Sequence, residues 1–78
     1  MKVVTYFAQV TSEAAEDASM YRANDLPSAG VLLKVIEENN GIITAIDGTG
    51  KEWILSKRYI HKCFDQDRAE AAFITERL

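Results

Sequence analysis

Two side chains able to ligate a metal, His61 and Cys63, stand two apart in a 78-residue chain, with Asp65 and Asp67 the nearest further donors. Structural zinc needs four ligands. Two donors and an unspecific carboxylate do not make a site, so the pair reads as an edge residue and a half-buried thiol, and no metal or other cofactor is expected. Asp47-Gly48-Thr49-Gly50 has the composition of catalytic and phosphate-cradling loops without their order. The aspartate is not followed directly by Thr-Gly, and neither a helix nor a lysine in the required position follows the glycines. Ordinary turn chemistry accounts for it. No serine, cysteine or lysine has an identifiable base beside it, so a non-enzymatic protein with no catalytic residues is expected.

The residues suited to binding fall in two groups of opposite charge. Glu13, Glu16 and Asp17 are spaced i, i+3 and i+4, which on a helix puts three carboxylates on one face. Such a face is either solvated or a dock for a basic partner. Lys57, Arg58 and Lys62, with His61 between, form a basic knot able to touch phosphates or an acidic protein surface. Trp53 and Tyr59 lie near it. Tryptophan, tyrosine and arginine dominate protein-binding hot spots, whereas lysines interleaved with aromatics, here Lys51, Trp53, Lys57 and Tyr59, are what single-stranded nucleic acid requires. Trp53 reads as core; exposed beside Tyr59, it would be an interface anchor.

These side chains are positioned by short strands and two helices. Val3 to Val10 is rich in β-branched and aromatic residues and alternates only loosely, predicting a strand with both faces partly covered. Thr11 or Ser12 followed by Glu13, Glu16, Asp17 and several alanines predicts an inserted helix at about 12–23. The segment 28–40 is compatible with a helix capped by Ser28. Its β-branched residues, the early Gly30, and Glu37 and Glu38 at what would be the negative helix end favour a strand instead. Asn40-Gly41 then becomes a tight hairpin turn, because both residues tolerate positive φ. Ile42–Ile46 and Glu52–Leu55 complete a central hairpin, Ser56-Lys57-Arg58 a helical turn, and Tyr59–Phe64 either a last strand or a continued helix. A C-terminal helix at about 66–77 is capped from Asp65-Gln66-Asp67, and Ala69, Ala72, Phe73, Ile74 and Leu78 provide its apolar stripe.

Length and composition set the class. Seventy-eight residues make one domain, 1–78, with one core. Hydrophobic residues at 47% and charged residues at 27% exclude a disordered chain. One cysteine excludes an intrachain disulfide, and no run approaches the ~20 apolar residues of a membrane span, so a cytoplasmic protein with no membrane partner is expected. The net charge of −3 is unevenly placed. Residues 1–50 carry three basic against seven acidic side chains, a net −4; residues 51–78 carry six against five, a net +1. An acidic chain is poor at wrapping nucleic acid.

Gly30–Ile60 resembles the later half of a Src-homology-three-like barrel, in which a G-x-x-x-x-V strand, a central hairpin with glycine turns and a P-S-N-Y-V segment follow in order. Tyr59-Ile60 stand where that family has Tyr-Val, and Ser56-Lys57-Arg58 where it has Pro-Ser-Asn. The resemblance implies a small α+β fold: an antiparallel sheet or barrel of four to five strands, here carrying the inserted and C-terminal helices. The family's groove for proline-rich peptides is absent, since Ile43 falls at the place of its tryptophan and Ser56 at that of its proline. Tyr59 carries over, with Tyr6 a looser counterpart, and Glu13, Glu16 and Asp17 stand roughly where specificity-loop acids would be.

The expected function is a protein-binding module acting as a small adaptor or inhibitor through Trp53, Tyr59 and Arg58 or through the acidic face. In size and acidity the chain is similar to phage and mobile-element anti-defence proteins, anti-CRISPR proteins among them. The alternatives are a nucleic-acid-binding barrel using Lys57, Arg58 and Lys62, and a small-molecule or nucleotide sponge with its pocket between protomers. An open sheet edge would also give a homodimer a route.

Overall fold

The computed structural model describes residues 2–13 and 26–77. Five strands form one antiparallel sheet: β1 (Lys2–Val10), β2 (Leu32–Asn39), β3 (Ile42–Asp47), β4 (Glu52–Ser56) and β5 (Ile60–Lys62). Their spatial order is β4-β3-β2-β1-β5. A 3₁₀ turn at Lys57–Tyr59 links β4 to β5, and one helix, α1 (Gln66–Arg77), follows. Segment 28–40 therefore holds a strand, β2, and not a helix, and Tyr59–Phe64 divides into the end of the turn, the short β5 and a linker. The expected helix at 12–23 lies outside the described residues except for Ser12 and Glu13, which are helical.

Turn chemistry sets the register. Asn39 pairs with Ile42, so Asn40 and Gly41 alone make the β2–β3 turn, with φ of 51° and 83°. Both central residues of such a hairpin need positive φ, which asparagine and glycine adopt at little cost. The β3–β4 turn uses Gly50 at φ 89°, while the Asp47 carbonyl accepts from the Gly50 N–H at 3.0 Å. Irregular register between Val3 and Tyr6 on β1, and between Val35 and Glu37 on β2, curls the sheet into a half-barrel.

Both faces of β1 and β2 are partly covered, as the loose alternation of Val3–Val10 predicts, although Val3, Thr5 and Gln9 stay exposed. The concave face buries Ala8, Val10, Leu33, Val35, Ile43, Ala45 and Leu55, with Tyr6, Trp53, Tyr59 and Ile60 packed against them. On the convex face Phe7 and Leu32 meet Ala69 and Phe73 of α1, the two phenyl rings 5.4 Å apart and inclined at 57°. The contact stripe of α1 is narrower than its sequence implies. Ala72 and Ile74 are exposed, because only the i, i+4 pair of Ala69 and Phe73 reaches the sheet.

The helix makes a second attachment at its N-terminus. Asp65 caps it, its Oδ1 accepting from the Arg68 N–H at 3.0 Å. Gln66 then inserts its amide into the β1–β5 ladder: Oε1 accepts from the Phe7 N–H at 2.6 Å, and Nε2 donates to the Cys63 carbonyl at 2.6 Å and the Phe7 carbonyl at 2.9 Å. A planar side-chain amide thus replaces one backbone pair where β5 diverges toward the helix. Paired backbone groups are the rule wherever water is excluded, and here one residue supplies both donor and acceptor.

Candidate functional site

The 3₁₀ turn is the organising element of the candidate site. Ser56 caps it through Oγ, which accepts from the Arg58 N–H at 3.4 Å. The Lys57 N–H donates to the Gly41 carbonyl at 2.8 Å, and the Tyr59 carbonyl accepts from the Thr11 N–H at 2.8 Å. The turn is therefore bonded to the β2–β3 hairpin on one side and to the end of β1 on the other. It carries Lys57, Arg58 and Tyr59, three of the residues singled out from the sequence.

Lys57 and Lys62 converge on a cleft of about 340 Å³ lined by Val4, Tyr6, Glu38, Lys57, Ile60 and Lys62. Glu38 is its hub, accepting from Lys57 Nζ at 2.7 Å and from the Tyr6 hydroxyl at 3.2 Å. The Lys62 ammonium lies 5.4 Å from the centre of the Tyr6 ring. Burial, then the charge of Glu38 and the hydrogen bond to it, push the Tyr6 hydroxyl up to about 12. Tyr6 therefore stays a donor throughout the neutral range. Glu38 and Tyr6 were not joined by sequence reasoning: Glu38 lies at the far end of β2, and only the pairing of β1 with β2 places it beside Tyr6.

Arg58 turns the other way. Its Nη2 lies 3.2 Å from Glu13 Oε1, and its guanidinium lies 5.2 Å from the centre of the Tyr59 ring. Glu13 and Arg58, candidates of opposite charge read from separate segments, are thus one pair. Glu16 and Asp17 lie outside the described residues. Both ion pairs are substantially exposed, with Lys57 and Arg58 each more than half accessible, so each contributes only about 0–1 kcal/mol and can be exchanged for a partner's groups.

Trp53 belongs to a different neighbourhood. It is half-buried against the concave core, its Nε1 donates to Asp47 Oδ2 at 2.9 Å, and the Lys51 ammonium sits 4.1 Å above its ring. Asp47 Oδ1 also accepts from the Thr49 N–H, the Thr49 hydroxyl and the Lys51 N–H at 2.8, 2.6 and 3.1 Å. Burial pushes the Asp47 carboxyl up, but these hydrogen bonds outweigh it and hold the group at about 2. Asp47-Gly48-Thr49-Gly50 is thus a turn organised by its first residue, as its composition predicts; the bond to Trp53 is the part that the sequence does not announce.

His61 is exposed, Cys63 half-buried with its thiol pushed up by burial, and no group of three or more potential metal ligands occurs among the described residues. None of the helices among those residues is long and apolar enough to cross a membrane. No protein-family model, curated protein or solved structure matches the chain.

Proposed function

We propose that the chain is a non-enzymatic protein-binding module, a small adaptor or inhibitor, that docks through the surface around its 3₁₀ turn. The observation that carries this reading is a repeated device. Tyr6, Tyr59 and Trp53 are each half-buried on the concave core, and each carries a cation over its ring, from Lys62, Arg58 and Lys51 respectively. Aromatics fixed by packing lose little side-chain entropy on binding, and the cations above them offer exchangeable charge, which together is hot-spot chemistry. The same device weakens the nucleic-acid reading. Ring faces covered by cations are not free to stack on bases, and Lys57 and Arg58 are already paired with carboxylates.

A Src-homology-three-like topology is part of this proposal. The strand order β4-β3-β2-β1-β5 and the 3₁₀ turn before the last strand support it. The departures at Ile43, which is fully buried, and at Ser56, which caps the turn, argue for a ligand other than a proline-rich peptide. Small size and acidity make inhibition of a host protein by a phage or mobile element one form of the function.

The test is affinity capture from nuclease-treated host lysate, followed by calorimetry with the purified partner. A stoichiometric protein complex, weakened at least tenfold by Tyr59→Ala or by combined alanine substitution of Lys57, Arg58 and Lys62, is expected. Recovery of nucleic acid alone in an untreated lysate, lost in the triple variant, would replace this reading with the nucleic-acid one. A thermal shift with a nucleotide and no protein partner would replace it with the sponge.

A further inference from the structure

The two margins of the sheet are managed differently. The β5 margin is blunted by a three-residue strand, by irregular register in β1 beyond it and by Gln66 closing the gap. Each is a recognised way to keep a strand edge from recruiting another chain. The β4 margin carries none of these devices. Strand β4 pairs with β3 in unbroken register from Glu52 to Ser56, contains no proline, and has no further strand beyond it among the described residues.

The register fixes which β4 groups are unpaired. The Asp47 N–H donates to the Lys51 carbonyl and the Lys57 N–H to the Gly41 carbonyl, so odd-numbered residues of β4 bond to β3. The N–H and C=O groups of Glu52 and Ile54 and the N–H of Ser56 therefore point outward, while the Ser56 carbonyl, as N-cap, accepts the first bond of the 3₁₀ turn. At the centre of this edge the Ile54 side chain is 66% exposed, and Ile42 on the same convex face is 46% exposed.

We propose that the β4 edge is a self-association surface, on which a second copy of the chain pairs antiparallel about a two-fold axis at Ile54. The edge is self-complementary in this register. Ile54 meets Ile54 of the second copy, Glu52 meets Ser56, and Trp53 meets Leu55. On the concave face the row Ala45, Trp53 continues into Leu55 and Ile43 of the second copy, joining two apolar cores across the axis. No carboxylate faces a carboxylate. The one like-charge approach, Lys51 toward Lys57 of the second copy, falls beyond the strand ends, where Lys51 rests on Trp53 and Lys57 on Glu38. A five-residue edge is small beside a standard interface, so the dimer is weak, with a Kd on the order of 100 μM.

Sedimentation velocity of the wild-type chain from about 10 μM to about 1 mM tests this, since the range spans tenfold either side of that Kd. The weight-average mass should rise from monomer toward dimer. Ile54→Lys places two cations face to face on the axis and should weaken association at least tenfold without changing the thermal melt. Val3→Lys, on the opposite margin, should leave association unchanged. A monomer at every concentration would overturn the proposal, as would an Ile54→Lys variant that dimerises like the wild type or a Val3→Lys variant that does not dimerise. Binding of a heterologous partner around the 3₁₀ turn shares Lys51, Trp53 and Lys57 with this edge and is measured on its own, by the calorimetry above.

Discussion

The β5 and β4 margins of one small sheet solve the same problem in opposite ways. Along β5 and the adjoining part of β1, a helix docks through Phe73 and Ala69, a glutamine amide completes the ladder, and Tyr6, Glu38, Lys57 and Lys62 interlock across the concave side. Along β4 the strand ends in a hairpin held by Asp47, and no further strand pairs with its outer side among the described residues. Among the described residues one full helix packs on the sheet, and it covers only the β1–β2 side. The lesson is that, among the described residues, tertiary cover was allotted to Phe7 of β1 and Leu32 of β2, the two sheet residues that α1 buries, while β4 relies on a local turn.

The comparison is broken most easily at the covered margin. Phe73→Ala removes the main convex-face contact and should lower unfolding free energy by about 3–4 kcal/mol in urea titration. Gln66→Leu keeps the volume but strands the Phe7 N–H and the Cys63 carbonyl, for an expected loss of about 2 kcal/mol. Ile54→Ala, at the bare margin, should change stability by less than about 0.5 kcal/mol. Equal losses at Gln66 and Ile54 would abolish the distinction.

The pH response should separate the two margins by sign. The Asp47 carboxyl, held near 2 in the fold, contributes stability that is complete above its ordinary value near 4 and is lost as pH falls toward 2. Acid should therefore loosen the β3–β4 hairpin, visible in the fluorescence of Trp53, the single tryptophan, and Asp47→Asn should remove that transition. Tyr6, raised to about 12, works in the other direction: its contribution is complete below pH 10 and lost as pH rises toward 12. Tyr6→Phe should flatten this alkaline loss in a melting-temperature series.

Much of the scaffold was legible in the sequence, because local chemistry decides it. Asn40-Gly41 specified its hairpin, the β-branched residues of 31–36 outweighed the helical alternative, and the C-terminal helix fell at its expected bounds. The site was legible only in its parts. Lys57, Arg58 and Tyr59 could be singled out as candidates from their types, but their partners Glu38 and Glu13 are brought to them by strand pairing and by the path of the chain. Gln66 gave no signal, since a glutamine between two aspartates reads as helix-cap context; its role exists only because β5 diverges beside Phe7. The breadth of the α1 stripe was overread for the same reason. Apolar spacing identifies a helix face, and the sheet decides how much of that face it meets.

Residue-resolved amide hydrogen exchange measures the contrast between the margins most directly. In dilute solution the Phe7 amide should be protected nearly to the level of the core strands, through its bond to Gln66, while the outward amides of Ile54 and Ser56 exchange at close to open-chain rates. Rapid exchange at Phe7, or protection of Ile54 and Ser56 in the dilute monomer, would contradict the account of a closed margin and an open one.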